Sequence, residues 1–87
     1  MMCDNNYQNL LNKKRNLEFD IKKIQKIIIS TRTGRYVYDD GSYLMLNSYL
    51  SDISLRYLHS ELKKIKYNKT KELQKINIQI QNGEFAQ

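Results

Sequence analysis

The sequence predicts an α+β fold of the order helix, β-hairpin, helix. Two antiparallel helices should pack on a two-stranded antiparallel ribbon, with a flexible or helical C-terminal extension. Three observations carry this reading. Glycine, β-branched and aromatic residues gather only between Thr33 and Leu46, around the dipeptide Asp40-Gly41. On the N-terminal side, Leu10, Leu17, Ile21, Ile24 and Ile28 recur in steps of seven, four, three and four. On the C-terminal side, Leu55, Leu58, Leu62 and Ile65 recur in steps of three, four and three. Steps of three and four place apolar residues along one stripe of a helix.

Taken in order, residues 1–6 are polar and read as a loose end. The first helix is expected from about Tyr7 to Ser30, with Asn5 or Asn6 as its cap. Lys13, Arg15, Lys22, Lys23 and Lys26 fall mostly off the apolar stripe, and neither Gly nor Pro interrupts it. Ile27-Ile28-Ile29 offers a strand start as an alternative to the helix end. Residues Thr31 to Gly34 close the helix, because Gly34 suits the left-handed residue that follows a helix C-terminus. Asp40-Gly41 is the dipeptide that a two-residue type I′ turn prefers. That turn would set Tyr38 opposite Tyr43, Val37 opposite Leu44 and Tyr36 opposite Met45. Tyr36, Tyr38, Tyr43 and Met45 would then share one face, and Val37, Leu44 and Leu46 the other, with Arg35, Asp39 and Ser42. An isolated two-stranded hairpin is marginal in water, so the ribbon needs helices against it.

Asn47 to Asp52 is a polar link in which Ser51, followed by Asp52, is the strongest N-cap. The second helix follows, with Tyr57, His59, Glu61, Lys63 and Lys64 facing away from its stripe. Past Lys66 the pattern weakens. Leu73, Ile76 and Ile80 partly resume a helical step, whereas Ile76, Ile78 and Ile80 alternate with Asn77 and Gln79 as a strand would. The expected organisation is one domain over residues 1–66 and an extension over 67–87 that is helical or orders on a partner. Asn82 to Gln87 reads as a frayed end.

The 87 residues carry 15 Lys+Arg against 9 Asp+Glu, a net charge of +6, which invites a nucleic-acid reading. A coding bias competes with it: Lys, Asn, Ile and Tyr are all abundant, and Pro and Trp are absent. An AT-rich genome produces that combination without selection for phosphate binding. No apolar run approaches the ~20 residues of a membrane span. The polar N-terminus lacks the apolar core of a signal peptide. One cysteine permits no internal disulfide, which fits a reducing compartment such as the cytosol.

Catalysis requires a constellation of groups, and the chain shows none. His59 is the sole histidine, so no histidine metal cluster exists, and a Cys3–His59 pair would set its nucleophile on the loose N-terminus. Asp39-Asp40 belongs to the turn. No Gly-Lys-Ser/Thr follows either Thr33-Gly34 or Asp40-Gly41, so neither is a phosphate-binding loop. No catalytic residue, metal, cofactor or small-molecule ligand is expected. Basic and aromatic residues are the remaining interaction candidates. Lys63, Lys64, Lys66, Lys69, Lys71 and Lys75 set six cations against one acid, Glu72, with Tyr57 and Tyr67 available for base stacking. A solvated lysine face would look the same.

Thr33-Gly34 after the first helix, Asp40-Gly41 at the turn, and Ser51-Asp52 opening a helix with Leu55, Tyr57, Leu58, Glu61 and Leu62 resemble the lambda-type phage head-to-tail joining family (gpW-like). The resemblance covers roughly residues 10–65. The first strand is a few residues shorter than the family's usual one, the first helix is longer, and residues 66–87 have no counterpart there. The resemblance implies a structural protein, found in the virion or the host cytoplasm, that forms a homo-oligomeric ring on the portal. The ring closes the filled head and presents the surface for the tail-completion proteins. Such a ring uses two different patches of each subunit, and the free chain would wait as a soluble monomer until the portal organises it. Its positive charge would suit a DNA channel wall or acidic portal clefts, and Arg32, Arg35, Lys63, Lys64 and Lys66 are the expected contacts. Two other readings stand beside it: a small basic nucleic-acid-binding or regulatory protein, and a helical-hairpin dimer that inhibits or adapts another protein.

Overall fold

Two long helices lie antiparallel, and a short ribbon joins them at one end. The computed structural model describes the backbone of residues 2–83 and the side chains of residues 7–83. Helix α1 spans Met2–Thr33, strands β1 and β2 span Arg35–Val37 and Tyr43–Met45, a 3-10 turn covers Leu46–Ser48, and helix α2 spans Asp52–Gln81. The helix–hairpin–helix fold read from the sequence is the observed one. The molecule measures 53 × 27 × 15 Å with a radius of gyration of 17.2 Å, against about 12 Å for a compact chain of this length. It is a rod, because two helices of about 45 Å lie side by side and no described segment folds back over them.

Both helices are longer than the sequence patterns suggest. The backbone of α1 already starts at Met2, so the expected loose end and the caps at Asn5 and Asn6 are overturned. Ile27, Ile28 and Ile29 belong to the same helix, which runs on to Thr33. Ser30 Oγ donates to the Lys26 carbonyl at 2.9 Å and Thr31 Oγ1 to the Ile28 carbonyl at 2.6 Å, so both hydroxyls are satisfied within the helix. Gly34 ends it with φ +78°, its N–H donating to the Ser30 carbonyl at 2.8 Å. Ser51 caps α2 as expected, accepting from the Ser54 N–H at 3.2 Å, with Asp52 in the first turn.

The segment from 67 to 81 continues α2 without a break. As a strand, Ile76, Ile78 and Ile80 would share one face, and they do not. Ile76 is 5% exposed, Ile80 is half-buried, and Ile78 is 53% exposed on the opposite side. Ile76 and Ile80 lie on one helical face, with Leu73 beside them. Of the other expected stripe residues, Leu17, Ile24, Ile28 and Leu55 are buried, and Leu10, Ile21, Leu58 and Leu62 are half-buried. Ile65, by contrast, is 43% exposed. A two-helix pair covers only a narrow seam on each helix, so residues at the stripe edge stay in water. Residues Glu84–Gln87, part of the expected frayed end, lie outside the described residues, as does the Cys3 side chain.

The expected hairpin register is off by one residue. The observed pairs are Arg35 with Met45, Tyr36 with Leu44 and Val37 with Tyr43. A type I′ turn requires positive φ at both central positions, but Asp40 does not adopt it; only Gly41 does, at +89°. The loop is therefore three residues, Asp39-Asp40-Gly41. Tyr38 closes it with an N–H donated to the Ser42 carbonyl at 2.7 Å, and the Gly41 N–H donates to the Tyr38 carbonyl at 3.0 Å. A one-residue slip turns one strand over relative to the other. Tyr36 and Leu44 now share one face and are half-buried, while Arg35, Val37, Tyr43 and Met45 share the other and are exposed, Arg35 and Val37 beside Ile29 and Thr33 of α1.

The ribbon rests chiefly on the last turns of α1. Lys26 fastens it there: its ammonium lies 5.1 Å from the Tyr36 ring centroid and 3.2 Å from Asp39 Oδ1. Tyr36 and Tyr38 meet edge-to-face at 5.2 Å. Leu46 N–H returns to the Gly34 carbonyl at 2.8 Å, tying the exit of the hairpin to its entrance.

Candidate interaction surfaces

Contacts between the helices fix their two edges. On one edge, Lys69 pairs with Asp20 at 3.2 Å. On the other, the Lys66 ammonium donates to the Gln25 side chain, and His59 meets Thr31 at 2.9 Å. The Thr31 hydroxyl proton is committed to the Ile28 carbonyl, so His59 Nδ1–H is the donor to Thr31 Oγ1. His59 is thus a half-buried seam residue, not one that faces away from α1 as the sequence pattern suggests.

Two adjoining open concavities run along this second edge, each about 530 Å³. Arg32 and His59 line both; Arg56 belongs to the first, and Lys63, Lys66 and Tyr67 to the second. Three of the five basic residues expected at an interface are therefore brought together: Arg32, Lys63 and Lys66. The other two are not. Lys64 points elsewhere and pairs with Glu61 at 3.4 Å, one helical turn away. Arg35 lies on the outward face of the ribbon with its guanidinium carbon 5.5 Å from the Tyr43 ring centroid. Of the tyrosines near the lysine segment, Tyr67 lines the groove and contacts the Lys71 ammonium at 4.8 Å, while Tyr57 is exposed away from it.

Linear charge density missed Arg56 and His59. The signal that finds them is spacing: Arg56, His59, Lys63, Lys66 and Thr70 step by three, four, three and four, which draws a straight polar row beside the apolar seam of an antiparallel helix pair.

A second surface lies at the ribbon end. Seven of the thirteen large apolar side chains exposed among the described residues fall between residues 37 and 53: Val37, Tyr38, Tyr43, Met45, Tyr49, Leu50 and Ile53. The turn residues Asp40 and Gly41 project beside them into open space, with nothing within 4 Å of a side chain built at Gly41. The Ser42 hydroxyl and N–H both donate to Asp40 Oδ1, at 2.5 and 2.9 Å, and hold the Asp40 carboxyl below its ordinary pKa.

Among the described residues no three metal-ligating side chains converge, and no helix is long and apolar enough to cross a membrane. No family model, curated protein or solved structure matches this chain.

Proposed function

We propose that this protein is a non-catalytic assembly subunit of the phage head-to-tail joining type, which docks on a portal through its ribbon end and presents a surface to tail-completion proteins. The observation that carries the proposal is the concentration of exposed apolar and aromatic side chains on the outward ribbon face and the return loop up to Ile53. Water-exposed aromatic residues in such density suit a protein interface, where Tyr and Met are enriched. The ribbon is also the part of the chain whose residues, Thr33-Gly34 through Ser51-Asp52, resemble the joining proteins. The slipped register adds to the reading, because it sets Arg35, Val37, Tyr43 and Met45 together on the exposed face. A ring of such subunits needs two different contact patches per copy. The ribbon end supplies one of them.

Affinity capture of the tagged chain from its native lysate, treated with nuclease and read by mass spectrometry, tests this. Portal and tail-completion proteins are the expected eluate, and the triple variant Val37→Ser, Tyr43→Ser, Met45→Ser should lose them. A single host protein at equal stoichiometry, retained by that variant, would contradict the proposal.

A further inference from the structure

We infer that the groove along the α1/α2 edge, lined by Arg32, Arg56, His59, Lys63 and Lys66, is a binding site for a nucleic-acid backbone. Among the described residues the cations in it outnumber the carboxylates. Among the described residues Lys26, Lys64 and Lys69 have carboxylate partners in Asp39, Glu61 and Asp20, whereas Arg32, Arg56 and Lys63 have none. Asp52 is the one carboxylate among the lining residues of the two concavities. Cations held this close repel one another, and a polyanion relieves that repulsion.

The geometry favours a nucleic acid over an acidic peptide. Arg56, His59, Lys63 and Lys66 form a straight row over ten residues of helix, about 15 Å, and Arg32 faces it from α1. DNA presents one phosphate per about 3.4 Å of axis on each strand, so a rigid row of this length spans several phosphates at once. Tyr67, at the end of the row, adds an exposed ring on which a base can stack. Arginine and lysine on a fixed helix meet phosphates without sequence readout, so the site should bind mixed sequences alike. This inference does not rest on the connector proposal: the salt dependence below can hold whether or not a portal is captured.

The test is fluorescence anisotropy of a labelled mixed-sequence DNA duplex titrated with the full chain at several salt concentrations. Arg32, Arg56, Lys63 and Lys66 as four phosphate contacts predict a slope of log K against log salt of roughly −3.6. The groove variant Arg32→Gln, Arg56→Gln, Lys63→Gln should reduce the slope to roughly −1. Lys13→Gln, Lys22→Gln, Lys75→Gln removes the same charge from exposed positions outside the groove and should leave the slope unchanged. Far-UV circular dichroism checks that both variants remain helical. Absence of binding by the wild-type chain at low salt would overturn the inference, as would equal losses in the two variants. Capture of poly-aspartate in preference to the duplex would overturn it too, and would assign the groove to an acidic protein partner.

Discussion

Replacing Ile76 with alanine tests whether residues 67–81 belong to the folded body. Ile76 is among the most buried apolar side chains of the protein, at 5% exposure, and it sits near the far end of the helix pair from the ribbon. Full burial of an isoleucine contributes about 1.5–3 kcal/mol, and truncation adds the cost of the cavity left behind, for a usual range of about 2–5 kcal/mol. A two-helix seam is open at both edges, and Ile80 and Leu73 are only half-buried. Neighbours can therefore settle into the gap, and the loss should fall near the low end, about 2–3 kcal/mol. In a chain of this size that corresponds to a Tm lower by roughly 10–20 °C. Ile78→Ala removes the same atoms two residues away at a half-exposed position, and should change stability by less than about 0.5 kcal/mol. Urea denaturation followed at the helical circular dichroism band measures both. If Ile76→Ala and Ile78→Ala cost the same, the C-terminal half of α2 is not packed on α1, and the rod is wrong.

The glycines separate backbone strain from steric contact. A left-handed backbone costs an ordinary residue about 1–2 kcal/mol; Gly34→Ala should reach the upper end, because its Cβ would lie 3.1 Å from Asn47 Nδ2, and Gly41→Ala, which meets nothing, the lower. Equal losses in thermal melts would refute the close approach at Gly34. Ser51→Ala removes the acceptor for the Ser54 N–H and should destabilise α2 by about 1 kcal/mol, with Ser51→Asp restoring most of it; a neutral Ser51→Ala would mean that the cap is dispensable. The Asp40 pKa is lowered from 3.8, first by the Ser42 hydroxyl and then by its N–H. A depressed carboxylate stabilises the turn above its unfolded pKa and loses that contribution as pH falls through the lower folded value. An NMR titration should therefore place the Asp40 midpoint below 3.8, with Ser42→Ala moving it back up; a midpoint at or above 3.8 in the wild type would contradict the turn geometry.

Periodicity made the helices legible, because steps of three and four leave little choice once no Pro interrupts them. It could not fix their ends. The polar segment before Tyr7 carries no apolar stripe, yet helical geometry extends back to Met2. The Ile76, Ile78, Ile80 alternation satisfies two periods at once, and only contact with α1 decides between them. The turn shows a different limit. Asp40-Gly41 marks the hairpin correctly, but the dipeptide serves a three-residue loop as well as a two-residue one. Only the conformation of Asp40 separates the two registers, and with them the two faces of the ribbon. The basic groove was half visible: Lys63 and Lys66 stand out in a lysine-rich run and Arg32 is among the expected contacts, while Arg56 and His59 lie before the run begins. Charge density along a chain does not sort residues by helical face; the spacing of 56, 59, 63 and 66 does.

In the proposed assembly a portal gathers rod-shaped monomers into a ring. Mass photometry of the captured portal complex, set beside light scattering of the free chain, measures this. The free chain should scatter as a 10.4 kDa monomer and the complex should be heavier than the portal by several copies of that mass, with the increment lost in the Val37, Tyr43, Met45 variant. A stable dimer of the free chain that adds no mass to a portal would rule this assembly out, and would make this a helical-hairpin dimer that acts on another protein.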